Sequence, residues 1–135
     1  TIFGSQCIVL SVEAKRRAPD RWEALTDNGR ETSGVDVLDW VVEAEQLGVG
    51  EILLTSVDME GTRRGFDKEL IAAVRERVQV PVIACGGAGQ ADDVVDLVAE
   101  SDCDAVCCAS IFHYDVAPIG AVKQALVAAG HGARL

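Results

Sequence analysis

Four short stretches of this 135-residue chain set polar or small side chains directly after apolar runs. Glu13 and Lys15 follow the run Cys7–Val12, and Thr55, Asp58 and Glu60 follow Glu51–Leu54. Cys85, Gly86 and Gly87 follow Pro81-Val82-Ile83-Ala84, and Ser110 and His113 follow the run that starts at Ala105. A run of this kind reads as a buried strand whose C-terminal tip presents the polar residues. Gly86-Gly87 stands between such a strand and a helical pattern beginning at Ala91-Asp92. Glycines there let backbone amides approach a ligand, and a helix N-terminus adds partial positive charge, so an anion such as phosphate is the natural guest. Carboxylates beside a phosphate cradle suit proton shuttling on a sugar-phosphate-like substrate, because burial lifts a carboxyl pKa towards working pH. Plainer roles stand beside these: Gly86-Gly87 as an ordinary strand-to-helix turn, Asp58 as a turn cap, Glu60 as a solvated side chain and His113 as a packed or solvent-facing one.

The elements that would position these residues alternate. A first strand lies within residues 1–15. Its alternation puts Cys7, Val9, Ser11 and Glu13 on one face and Ile8, Leu10 and Val12 on the other. The apolar face is expected to meet helices and the mixed face to line a cleft or barrel interior. Residues 16–34 are polar, with Asp27-Asn28-Gly29 a hairpin signal that pairs Trp22–Thr26 with Arg30–Thr32 as a ribbon over the top of the sheet. Helices are predicted over Val35–Leu47, Lys68–Val78, Asp92–Ala99 and Ile119–Ala129. Strands are predicted over Glu51–Asp58, Pro81–Cys85 and Asp104–Ser110. The fold class is therefore α/β: one domain over residues 1–135, four βα units and a parallel sheet with right-handed crossovers. Periodicity leaves open a doubly wound sheet or half of a (β/α)8 barrel, and both put the active side at the C-terminal strand ends. Two consecutive strand ends with small residues, Gly86-Gly87 and Ala109-Ser110, match the phosphate site after strands seven and eight of many such barrels. Glu51 starts its strand on the same face as Leu53 and Thr55, pointing inward at the opposite end, where a charge needs a partner.

Composition narrows the partners. The formal net charge of -10 argues against nucleic acid, since little is basic enough to displace counterions from phosphates. Apolar content of 49% and charged content of 25% exclude a disordered or fibrous chain. No apolar run approaches the roughly 20 residues that span a bilayer, and no signal peptide precedes the first strand, so no membrane partner and a cytoplasmic setting are expected. The five cysteines show no CxxC spacing and read as buried free thiols in a reducing compartment. With no metal-binding pair and no dinucleotide fingerprint, neither metal nor cofactor is expected.

FGSQCIVLSVEAKR, the run from Asp36 to Asp67 that contains GEILLTSVD, EGT and GFD, then PVIACGGAG and DAVCCASIFH together resemble a known family. The chain is similar throughout to the C-terminal half, strands five to eight, of the cyclase subunit of imidazole glycerol phosphate synthase, a (β/α)8 barrel of histidine biosynthesis. The resemblance implies ammonia-dependent ring closure and cleavage of a formimino aminoimidazole carboxamide ribonucleotide. It implies that Gly86, Gly87, Ala109 and Ser110 bind one phosphate of a two-phosphate substrate, and that Thr55, Glu60, Gly61 and Thr62 contact substrate. It places Glu13 on one of two proton-exchanging catalytic aspartates. Glu51 falls on a charged gate at the barrel floor, through which ammonia arrives from a glutaminase partner.

The departures are specific. Glu13 and Glu60 stand where the family has aspartate, and Cys85 where serine is usual. Each extra methylene moves a carboxylate by about an ångström, a displacement that can cost ~100-fold in rate. Four βα units also leave open sheet edges and an interior face without an opposite wall. Closure by a second copy, giving a homodimer, or by an N-terminal half is expected. The alternative function is a phosphate-binding half barrel that catalyses nothing.

Overall fold

The computed structural model describes residues 4–134. Phe3, which opens the FGSQCIVLSVEAKR segment, lies outside them. Strand β1 runs Val9–Ala18 and continues through β2 (Arg21–Thr26) and β3 (Glu31–Asp36) into helix α1 (Val37–Leu47). Then follow β4 (Glu51–Ser56), α2 (Lys68–Arg75), β5 (Val82–Cys85), α3 (Ala91–Ser101), β6 (Ala105–Cys107), the short α4 (Ser110–His113) and α5 (Ile119–Ala128).

The helix starts are set by aspartates at or near the first turn. The Asp36 carboxylate accepts from Leu38 N at 2.8 Å, and Asp67 accepts from Leu70 N at 3.1 Å. Asp93, in the first turn of α3, accepts from Gly89 N at 2.7 Å and Gln90 N at 3.1 Å. Gly48, in the left-handed region at φ 98°, ends α1.

The six strands form one sheet in the order β3-β2-β1-β4-β5-β6. β1, β4, β5 and β6 pair in parallel, and β2 and β3 add antiparallel ladders at the β1 side. The parallel strands never reverse their spatial order. With right-handed crossovers, every helix must then lie on the same face, whereas a doubly wound sheet reverses order and covers both. The burial pattern agrees. Val12, Ala14, Ile52, Leu54, Val82 and Ala84 point to the helices and are buried with Val41, Leu70, Val74, Val94 and Leu97. The opposite face carries Val9, Ser11, Leu53, Ile83, Ala105 and Cys107, none of which is in the core, and Val9 is 50% exposed. The sheet is open and consistent with half of a (β/α)8 barrel.

Four expectations are corrected. The hairpin does not lie over the sheet: β2 pairs with β1 through Glu13↔Leu25 and Arg16↔Trp22 and extends the sheet sideways, helped by an irregular register between Arg16 and Ala18. Its turn residues predict how β2 meets β3 but not what β2 does with its other edge. The last strand stops at Cys107, not Ser110, because Phe112 N and His113 N bond back to Ala109 O and turn the chain into α4. α1 begins at Val37 because Val35 is still paired with Ala24. The cysteines are also less buried than their apolar neighbours suggest: Cys7 and Cys107 are exposed, and Cys85, Cys103 and Cys108 are half-buried.

Candidate active site at the C-terminal strand ends

Parallel register fixes which side chains are neighbours. Glu13 pairs with Thr55, Thr55 with Cys85, and Cys85 with Cys107. Residues in register on parallel strands point to the same side of the sheet, so these four form one row across the open face, at its C-terminal end. One layer below stand Ser11, Leu53, Ile83 and Ala105, and at the floor Glu51 lies beside Val9. The Glu13 carboxylate reaches the hairpin turn, where a β-carbon added at Gly29 would stand 3.3 Å from Glu13 Oε2.

Next to this row is a small concavity lined by Glu60, Cys85, Gly86, Gly87, Ala88, Cys107, Cys108, Ala109 and Ser110. The four residues expected to hold phosphate are therefore brought together. The loop after β4 closes one side: Gly65 N donates to Gly87 O at 2.9 Å, and the Arg63 guanidinium lies 4.9 Å from the Tyr114 ring centre, bridging to the segment after α4. The glycines serve this docking. A β-carbon at Gly87 would sit 2.0 Å from Gly65 O, and one at Gly86 would sit 2.9 Å from Ser56 O. The N-terminus of α3 is already occupied, because the Asp93 carboxylate takes the Gly89 and Gln90 amides. An anion here would instead meet the Gly86–Ala88 backbone and the Ala109-Ser110 turn.

Thr62 and Gly61 do not line the concavity. Thr62 Oγ1 donates to Met59 O at 2.8 Å and shapes the turn, and Gly61 is exposed. Glu51 lies at the far end of β4; among the described residues its side chain has no ion-pair partner. His113 is exposed and packs edge-on against Tyr114.

Asp58 does not cap the turn that follows it. It pairs with Lys15 and accepts from Arg16 N at 2.8 Å, stapling the end of β4 to β1. Burial works to raise its pKa, but Lys15 and the Arg16 amide outweigh it and hold the carboxyl below its ordinary value. Burial pushes the Cys85 thiol up to about 11, against a hydrogen bond from Thr55, with nearby Cys107 and Glu60 adding to the rise. Cys108 is likewise pushed up to about 11 by burial.

Sequence reasoning passed over Asp67, which anchors the surroundings. Besides capping α2, it accepts from Arg16 at 2.8 Å and from Trp22 Nε1 at 3.2 Å, while Arg16 stacks 4.6 Å from the Trp22 ring centre and also pairs with Glu69. Its position just before a helical run was the available signal. Cys107 was passed over because its place in the row depends on register. Among the described residues no group of three His, Cys, Asp or Glu side chains is placed to hold a metal ion, and no helix is long and apolar enough to cross a membrane.

Fold and site together define an open-sheet α/β protein with a glycine-lined corner at its C-terminal strand ends. The sequence model for histidine biosynthesis proteins matches residues 1–118, and the chain belongs to that family. It is 49% identical to imidazole glycerol phosphate synthase subunit HisF of Bifidobacterium adolescentis, covering 98% of this chain and 53% of that protein. The subunits of the same name from Streptococcus sanguinis, at 47% identity, and Corynebacterium diphtheriae, at 49%, are covered to the same extents. The chain thus spans about half the length of the curated relatives it matches.

Proposed function

We propose that the chain supplies strands five to eight of an imidazole glycerol phosphate synthase cyclase, which becomes active when a second half closes the barrel. The observation that carries this reading is the row Glu13–Thr55–Cys85 running straight into the glycine-lined corner on an uncovered sheet face. In this reading Gly86, Gly87, Ala109 and Ser110 hold one phosphate of the substrate. Glu13 exchanges protons during ring closure and cleavage, Thr55 and Glu60 face the substrate, and Gly61 and Thr62 shape the turn that presents Glu60. Glu51 sits at the floor, where ammonia from a glutaminase partner would enter. The open face is covered by a second copy or by an N-terminal half, and the protein works in the cytoplasm.

A second reading, phosphate binding without catalysis, draws on the longer carboxylates at positions 13 and 60, Glu13 reaching as far as the hairpin turn. One experiment separates the two. The chain, mixed with the N-terminal half of a HisF relative, is assayed for turnover of the formimino ribonucleotide with ammonia, alongside phosphate-dependent thermal stability. The cyclase reading expects turnover that Glu13→Gln abolishes. It also expects a phosphate-induced rise of a few degrees, lost in Ser110→Asp, since a ligand of the native state at about ten times its Kd adds ~1.4 kcal/mol. Phosphate protection without turnover selects the second reading. A rise that matched chloride reproduces, with no turnover, overturns both.

A further inference from the structure

Cys85 ends β5 and Cys107 ends β6, and the two are register partners. Adjacent strands lie about 4.8 Å apart, which puts two such α-carbons within the roughly 4.4–6.8 Å range that disulfides span. As register partners on parallel strands the two side chains point to the same side of the sheet, and both line the same concavity. Cys107 is exposed at the C-terminal end of β6, the side that stays open when the sheet's interior face is covered, so a small oxidant reaches it, while Cys85 is half-buried. An exposed cysteine backed by a second within reach is the arrangement of an attacking and a resolving thiol.

We propose that Cys85 and Cys107 form a reversible dithiol–disulfide site on the open face, oxidised by hydroperoxides. The Cys107 thiolate attacks one peroxide oxygen and the O–O bond breaks. Cys107 becomes a sulfenic acid, and the departing oxygen takes up protons to leave as water. The Cys85 sulfur then attacks the sulfenic sulfur, its proton leaving with the displaced hydroxide as a second water. Two thiols and one hydrogen peroxide give one disulfide and two waters. Burial makes Cys85 a poor first nucleophile and leaves it the resolving role. Facing β-carbons on parallel strands sit somewhat wider apart than the ~3.5–4.5 Å of a relaxed disulfide, so closing the bond pulls β5 and β6 together. A strained bridge of this kind is easily reduced. Cys85 is also the register neighbour of Thr55, so the row through Glu13 is altered in the oxidised form.

The test uses the purified chain, treated with hydrogen peroxide, blocked with an alkylating agent and digested without reductant. An aspartate-specific protease cuts before Asp92 and Asp104, placing Cys85 and Cys107 on different peptides. The expected result is a cross-linked pair of these peptides, about 2 Da lighter than their sum, with the Cys85–Cys107 bond located by fragmentation and lost on adding dithiothreitol. The cross-link disappears in Cys85→Ser and Cys107→Ser and survives in Cys108→Ser. A bond between Cys107 and Cys108, a bond to Cys103, or oxidation of Cys107 with Cys85 still alkylated overturns the proposal. Because the bond is located in the unsubstituted chain, the outcome stands even if a variant fails to fold.

Discussion

Gly87→Ala is expected to destabilise the protein by about 3–5 kcal/mol, a large share of the ~5–15 kcal/mol that holds a domain together. Two costs combine. The φ of 108° lies where an L side chain is strained by roughly 1–3 kcal/mol. The added methyl would also stand 2.0 Å from Gly65 O and 3.0 Å from Met59 Cβ, so the loop after β4 must lift away. That movement breaks the bond from Gly65 N to Gly87 O, the contact that seats the loop on the corner. Gly120→Ala is the control: nothing stands within 4 Å of its added methyl, and the residue lies inside α5. Alanine there should stabilise by about 0.5–1 kcal/mol. Urea titrations followed by circular dichroism give both values. Equal, small effects at the two positions would mean that the loop does not dock on Gly87.

Asp67→Ala carries the next largest effect, a loss of about 3–4 kcal/mol. The side chain is only 8% exposed and serves three groups at once. Removing it takes away the cap on Leu70 N, worth ~1 kcal/mol, and leaves the indole N–H of Trp22 without an acceptor at a residue 1% exposed. It also leaves Arg16 with Glu69 alone, a side chain 73% exposed whose pairing is worth little. Asp67→Asn keeps one oxygen, which can still cap Leu70 N, but it loses the charge and sets an NH2 donor against the Trp22 indole N–H, so it should recover only the ~1 kcal/mol of the cap. Trp22 fluorescence reports the same change locally. If Ala and Asn lower the urea midpoint equally, the cap on Leu70 contributes nothing and the threefold anchoring is wrong.

The two residues differ in how readily the sequence revealed them. Gly87 stood out because a glycine pair between an apolar strand and a helix is a visible local signal, but its close packing against Gly65 appears only in three dimensions. Strand faces were legible in the same way: period-two alternation puts Glu13 with Ser11 and Thr55 with Leu53, while the register that lines up Glu13, Thr55 and Cys85 comes from the pairing of the strands. What the local pattern does not carry is long-range pairing. Asp27-Asn28-Gly29 signals a hairpin but not that Arg16 and Trp22 become cross-strand partners that extend the sheet. The segment DAVCCASIF is apolar throughout, so its period cannot mark where β6 gives way to α4; backbone bonding to Ala109 O does that. Asp67 was passed over, and its hold on Arg16 and Trp22, 51 and 45 residues away, exists only in three dimensions.

These features converge on one claim: the face bearing Val9, Glu13, Thr55, Cys85 and Cys107 is a barrel interior that another half must cover. Light scattering behind a sizing column tests it on the isolated chain. The account predicts a particle of twice the 14.3 kDa chain mass. It further predicts that Ser11→Arg and Leu53→Arg, placed in the middle layer of that face, return it to the single-chain mass with helical content intact. A stable, well-folded species at 14.3 kDa from the unaltered chain would contradict it, because the open face would then be at rest in water.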